Sequence, residues 1–191
     1  MNIVIIDYGA GNVTSVKNTF ERLNINTILS NNPEEIVSAD KVIFPGQGEA
    51  KHAMQQLEKF NLIEVIKNLT QPVLGICVGM QLLCDYSEER ETEGLGIIPT
   101  TVKKFSISKS IPHMGWNKIS STHSFLSEVN NDYFYYAHSY FVPINDYTVA
   151  TTEHEITFSS VVKKDNFLGC QFHPEKSAEA GNKFISNFLN Q

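Results

Sequence analysis

The sequence is poor in cysteine, in basic charge and in long apolar runs, and each scarcity excludes something. Its cysteines are Cys77, Cys84 and Cys170, an odd number with no close pair. That rules out a disulfide framework and a paired-cysteine zinc motif, and suits reduced thiols in a cytoplasmic setting. Lys and Arg total 15 against 21 Asp and Glu, a formal net charge of −6. An acidic balance argues against nonspecific nucleic-acid binding or an anionic membrane surface. No apolar run approaches the roughly 20 residues of a membrane span. The apolar opening Met1–Asp7 is too short for a signal peptide and carries no basic leader or small-residue cleavage site. Internal repeats, linkers and a P-loop are also missing. Gly9-Ala10-Gly11 begins like a dinucleotide fingerprint, but Thr14 stands near the expected third glycine. Ser30 and Asn31, not an acidic residue, end the second strand. Neither a metal nor a cofactor is expected.

What remains fits one α/β domain over residues 1–191. The first half alternates strand and helix signals. Asn2–Asp7, Asn26–Ser30, Lys41–Phe44 and Pro72–Ile76 read as strands, the first a continuous apolar run of the kind buried on both faces. Val13, Val16, Phe20 and Leu23 recur at helical spacing, and Leu57, Phe60, Ile63 and Ile66 mark helical material split near Asn61. Met80–Asp85 begins another helix. In the second half Thr101–Ile107, Asp132–Val142, Tyr147–Glu153, Ile156–Lys163 and Asn166–Phe172 read as strands joined by short connections, which predicts antiparallel pairing. Ala178–Leu189 closes as a helix. The predicted fold is a three-layer α/β sandwich, its central mixed sheet mostly parallel with an antiparallel extension.

Gly75-Ile76-Cys77-Val78-Gly79 follows a buried strand and precedes a helix. Gly-x-nucleophile-x-Gly is the pattern of a nucleophile elbow, with Cys in the place of Ser. A tight strand-to-helix turn strains the central residue and projects its side chain from the sheet edge. Free N–H groups at the helix start favour the thiolate, and the Val78 N–H is placed to receive an oxyanion. A buried structural cysteine in a glycine-bounded turn would also fit the pentapeptide.

Phe172-His173-Pro174-Glu175 follows the last strand. A cysteine nucleophile needs a base, and the base needs a group to fix its tautomer. His173 and Glu175, the latter held by rigid Pro174, can fill those roles; a surface His beside a solvated Glu is the alternative. Pro45-Gly46-Gln47-Gly48 follows the third strand, where loop N–H groups can supply a second oxyanion donor, or form a plain βα turn. His113 and His138 read as satisfied core or interface histidines. His52, His123 and His154 read as exposed and inert, and Cys84 and Cys170 as structural core.

Taken together, Gly75-Ile76-Cys77-Val78-Gly79-Met80-Gln81 and Phe172-His173-Pro174-Glu175 resemble the class I (triad) glutamine amidotransferases. Four finer stretches resemble one branch of that family, the glutaminase subunits of imidazole glycerol phosphate synthases. They are Ile6–Asn12, Pro112–Asn117, His138-Ser139-Tyr140 and Gln171–Ser177. Departures are small: Val78 stands where Leu is common, Gln47 where Val is frequent, and Glu49-Ala50 where a bulky residue often sits. The resemblance implies glutamine hydrolysis through a Cys77 thioester, with His173 and Glu175 completing the triad. It implies oxyanion donors from Val78 and the Gly46-Gln47-Gly48 loop, and glutamine held by Gln81, Glu89, Ser139 and Tyr140. It further implies a heterodimer with a (β/α)8-barrel cyclase subunit that uses the ammonia to make imidazole glycerol phosphate and aminoimidazole carboxamide ribotide in histidine biosynthesis. Asn12, Trp116, Tyr135 and Lys176 are the interface candidates. A paralogue's synthase as partner, or a small cysteine hydrolase of similar architecture, remain the competing readings.

Overall fold

The computed structural model describes residues 1–9, 12–106 and 111–191. Ala10 and Gly11 of the Gly9-Ala10-Gly11 turn, and Ile107 at the end of an expected strand, lie outside the described residues.

The first half runs β1 (Ile3–Ile6), α1 (Val13–Arg22), β2 (Thr27–Ser30), α2 (Pro33–Val37), β3 (Lys41–Gly46), α3 (Ala50–Lys59), α4 (Ile63–Lys67), β4 (Val73–Cys77) and α5 (Val78–Leu82). Next come β5 (Cys84–Ser87), β6 (Thr92–Glu93), β7 (Ile98–Lys104), β8 (His113–Lys118), β9 (Tyr133–His138) and β10 (Tyr140–Phe141). The chain ends with β11 (Thr148–His154), β12 (Ile156–Lys164), β13 (Phe167–Cys170) and α6 (Ala178–Leu189). Short 3-10 turns lie at Ser124–Val129 and Pro174–Lys176.

One seven-stranded sheet, ordered β11-β12-β13-β4-β3-β1-β2, forms the centre. β2, β1, β3, β4 and β13 are parallel, and β12 and β11 extend the sheet antiparallel, as predicted. Every residue of β1, β3 and β4 is buried, which is why these strands read as unbroken apolar runs. From β1 the chain moves outward to β2, then back across β1 to β3. Right-handed crossovers therefore put α1 on one face and α2 and α3 on the other. α1 turns Val16, Thr19 and Phe20 inward, and Asn12 caps it by accepting from the Ser15 N–H at 3.1 Å. α3 and α4 break at Asn61, whose φ is 56°. α6 buries Phe184, Ile185, Phe188 and Leu189. No helix among the described residues is long and apolar enough to cross a membrane.

Three expectations are corrected. Met80–Asp85 does not begin a long helix: α5 stops at Leu82, and Cys84–Ser87 is a strand. β5 pairs parallel with β7, while the Gly94 and Gly96 N–H groups bond the Asp85 and Cys84 carbonyls. Non-local pairing here outweighs helical spacing. Nor is the second half uniformly antiparallel, because β13 returns parallel to β4. That return governs the chemistry: the segment after β13 lands beside the end of β4. Asp132–Val142 also breaks at Ser139, and β8, not anticipated, pairs antiparallel with β9.

Candidate active site

Cys77 ends β4 and caps α5 with φ 54° and ψ −110°, a strained left-handed geometry. The turn survives because three glycines let two backbones touch. A Cβ on Gly79 would meet the Phe44 carbonyl oxygen at 2.0 Å, and one on Gly46 would meet the Gly79 nitrogen at 2.3 Å. Gly75 lies under the same turn, with Gly79 backbone atoms 3.0 Å from where its Cβ would be. The elbow is thus pressed against the end of β3, where Gly46 pairs in register with Cys77. α5 has only five residues, so its macrodipole is small. What counts is local: Val78 is the first helical residue, and its N–H has no acceptor within the helix.

Cys170 lies opposite Ile76 in the β13–β4 register, so Gln171 and His173 emerge next to Cys77. His173 Nδ1 and Glu175 Oε1 are 2.7 Å apart, and both side chains are nearly fully buried. The carboxylate only accepts, so His173 carries its proton on Nδ1 and turns Nε2 toward the sulfur. Burial pulls the imidazole down, but the Cys77 sulfur, as charge and hydrogen-bond partner, and then Glu175 outweigh it and raise His173 to about 10. Cys77 is the first of the raising causes. Cys77→Ala should therefore lower the midpoint of the His173 imidazole resonances in an NMR titration; an unchanged midpoint would mean that the two side chains do not interact.

Backbone clamps hold His173 in place. The His173 N–H donates to the Tyr135 carbonyl at 2.9 Å, and Ser177 Oγ donates to the His173 carbonyl at 2.6 Å. Ser177 Oγ also accepts from the Tyr135 N–H at 3.0 Å. Tyr8 supports the opposite wall, its buried hydroxyl donating to the Pro45 carbonyl at 2.8 Å just before the glycine loop. Burial, and then the nearby Cys77 charge, push the Tyr8 phenol well above its ordinary range, so it stays a donor.

Cys77, Val78 and His173 open into a cavity of about 360 Å³ lined also by Gln47, Gly48, Gln81, Glu89, Met114, His138, Ser139 and Tyr140. All four residues singled out for glutamine are on its wall. Gln47 and Gly48 face it, with Gly48 at φ 94°, whereas Gly46 is buried beneath them against the elbow. Glu89 already spends one oxygen, accepting from the Ala50 N–H at 2.7 Å and so capping α3 from outside. Burial raises the Glu89 carboxyl, partly offset by that hydrogen bond. Of the interface candidates, three converge outside the cavity mouth: Trp116 packs edge-on to Tyr135 at 6.1 Å, and the Lys176 ammonium lies 5.9 Å from the Tyr135 ring centre. Asn12 stands at the start of α1, whose Thr19 hydroxyl reaches the Glu175 carbonyl at 3.5 Å, next to Lys176.

Beside the cavity three histidine rings pack together. His113 Nδ1 and His138 Nε2 are 3.0 Å apart, and His154 stacks on His113 at 4.0 Å. Burial, chiefly, lowers His138 to about 3, so it is neutral. His113 and His138 are satisfied core residues, as read from the sequence, but His154 is half-buried, not exposed. His123 is exposed yet caps the Ser124–Val129 turn by accepting from the Phe125 N–H at 3.3 Å. Cys84 and Cys170 are buried, and burial raises both thiols far above their ordinary range.

Sequence reasoning assigned no role to Tyr8, Gln171 or Ser177. The only prior signal was their position inside the stretches that carried the family resemblance.

The family model for class I glutamine amidotransferases matches residues 4–191. The imidazole glycerol phosphate synthase subunit HisH 2 of Campylobacter jejuni strain RM1221 is 47% identical over 191 residues, covering 99% of this chain and 98% of that protein. The HisH subunits of Bacteroides fragilis strain YCH46 and Pasteurella multocida strain Pm70 are 46% and 48% identical, and in each case 97% or more of both chains is covered. Among solved structures, a glutamine amidotransferase superposes with a TM-score of 0.78 at 14% identity, covering 98% of this chain and 97% of that one. PurLQS from Thermotoga maritima superposes at 0.75 with 16% identity, covering 99% of this chain and 97% of that one. The chain belongs to the class I glutamine amidotransferase family. Within that family, the full-length relatives of nearly half identity are HisH subunits of imidazole glycerol phosphate synthase.

Proposed function

We propose that this chain is the glutamine amidotransferase subunit of an imidazole glycerol phosphate synthase in histidine biosynthesis, folded as a single amidotransferase domain over residues 1–191. It hydrolyses L-glutamine to glutamate and ammonia. The observation that carries the reading is Cys77 at φ 54° in a cavity it shares with His173, whose Nδ1 is held by Glu175.

The Cys77 thiolate attacks the side-chain carboxamide carbon of glutamine. Val78 N–H and a loop N–H at Gln47–Gly48 receive the oxyanion; losing one such donor typically costs about 10²–10³ in rate. Protonated His173 gives its proton to the leaving amine, and ammonia departs as the thioester forms. His173 then takes a proton from water, which attacks the thioester and releases glutamate and the thiolate. Glu175 holds His173 in one tautomer. Gln81, Glu89, Ser139 and Tyr140 hold the substrate.

Ammonia released into neutral water becomes ammonium and loses its nucleophilic pair. A partner that receives it directly avoids that loss. The partner proposed is the cyclase subunit, a (β/α)8 barrel, in a cytoplasmic heterodimer whose completed reaction is a lyase step. Support for the docking face is the exposure of Met114, 64%, which lines the cavity, and of Trp116, 53%, two residues further along β8 and packed on Tyr135, itself beside Lys176. The test is glutamate release by the chain alone, with the cyclase, and with the cyclase plus its nucleotide ligand. Glutamate rising with the partner supports the reading. Cleavage of peptides without glutamine turnover points to a cysteine hydrolase, and sinks it.

A further inference from the structure

The Cys77 sulfur has a second neighbour besides His173. Gln171 Nε2 lies 3.8 Å from Sγ, within reach of an N–H···S hydrogen bond, and Gln171 is completely buried. Whether a glutamine turns its nitrogen or its oxygen to a sulfur is settled by its other partners. Here they leave one answer. The Tyr140 carbonyl can only accept. Gln81 is 3.0 Å from it and so must present Nε2, and the same Nε2 is 3.0 Å from the carboxamide of Gln171. Gln171 must therefore meet Gln81 with Oε1, which leaves its Nε2 facing the sulfur.

The Tyr140 carbonyl is itself locked from the other side. His138 Nδ1 lies 2.7 Å from it and must donate. His138 Nε2 then accepts from His113 Nδ1 at 3.0 Å, and His113 Nε2 accepts from Asn117 Nδ2 at 3.3 Å. Both lone pairs of one backbone oxygen are filled, and Asn117, His113, His138, Gln81 and Gln171 each have one orientation. Both N–H groups of Gln81 are committed too, so only its Oε1 is left for a ligand in the cavity.

We propose that Gln171 is a catalytic residue for the cysteine chemistry, donating its Nε2–H to the Cys77 sulfur and favouring the thiolate, with the donor's direction set by the Tyr140 carbonyl through Gln81. The proposal rests on Cys77 being the nucleophile but not on glutamine being the substrate. A hydrogen bond to a charged acceptor is worth more than one to a neutral acceptor, and a buried partner cannot be replaced by water. His173 handles the proton; Gln171 holds the charge left behind.

The test is the pH profile of Cys77 alkylation by iodoacetamide in the full-length chain, followed by mass spectrometry of the Cys77 peptide. Two variants are compared with wild type. Gln171→Met keeps the volume and removes both polar atoms. Gln171→Glu keeps the acceptor toward Gln81 and replaces the donor with an oxygen. Both profiles should move to higher pH, with alkylation at pH 7 slowed about tenfold for Gln171→Met and more for Gln171→Glu. Near-ultraviolet circular dichroism selects whichever variant is folded, and either one decides. A folded variant whose profile superposes on wild type overturns the proposal. Glutamate release is measured separately: a shifted profile in a chain that never turns over glutamine removes the glutaminase reading and leaves Gln171 its role. An unshifted profile in a working glutaminase removes only the role of Gln171.

Discussion

Cys77→Ser is expected to lower partner-stimulated glutamate release by a factor on the order of 10⁴ or more, the scale seen when a nucleophile is removed from an intact triad. The substitution changes one atom and keeps the side-chain shape, so the fold is not the cause. A serine hydroxyl is not ionised near neutral pH, and nothing in the elbow can make it so. The raised proton affinity of His173 owes most to the sulfur at residue 77. Without it the imidazole loses its protonated form at the working pH, and the leaving amine loses its acid. Both halves of the proton transfer therefore fail together. The measurement is glutamate release with the cyclase present, alongside thermal unfolding. Residual activity above about one per cent of wild type, in a variant of unchanged melting temperature, would show that another residue does the attack.

Gly79→Ala should produce the largest loss of stability of any single-methyl change in the site, about 3 kcal/mol or more. In an ordinary helix the same change stabilises by about 1 kcal/mol, so the sign itself is diagnostic. Here the added Cβ would stand 2.0 Å from the Phe44 carbonyl oxygen and 3.1 Å from its carbon. Both are backbone atoms of a central strand, and no side chain can swing aside to make room. α5 has to move away from β3, carrying Cys77 and Val78 with it. The melting temperature should fall by roughly 6–12 °C for a chain of this size, and alkylation of Cys77 should lose its selectivity. A melting temperature within a degree or two of wild type would mean that the two backbones are not in contact.

Much of this was legible in the sequence. β1, β3 and β4 announced themselves as continuous apolar runs because both their faces are covered. Cys77 and His173 announced themselves because a strand end followed by glycine or proline is a local signal. Other features were invisible for a physical reason. β5 exists because β7 and β6 are there to pair with it, whereas Met80–Asp85 alone reads as the start of a helix. Gln171 faces Cys77 because of the register between β13 and β4, and no local pattern encodes a register across 94 residues. Trp116, Tyr135 and Lys176 stand on three separate segments; their meeting is a product of β8 pairing with β9 and of the turn after β13. His154 looked exposed on its strand because the ring that covers it, His113, belongs to another one.

The chemistry of the three thiols also gives the protein a built-in count of its working sites. Cys84 donates toward the Met80 carbonyl at 3.8 Å and Cys170 toward the Phe172 carbonyl at 3.6 Å, both sealed in the core with their ionisation suppressed. Cys77 alone borders the cavity. A small electrophile added to folded chain near neutral pH thus reads one equivalent per competent elbow, and the same reagent in denaturant reads three per chain. Three times the ratio of the native to the denatured reading is the fraction of a preparation with a reactive Cys77, obtained without substrate, partner or any assay of rate.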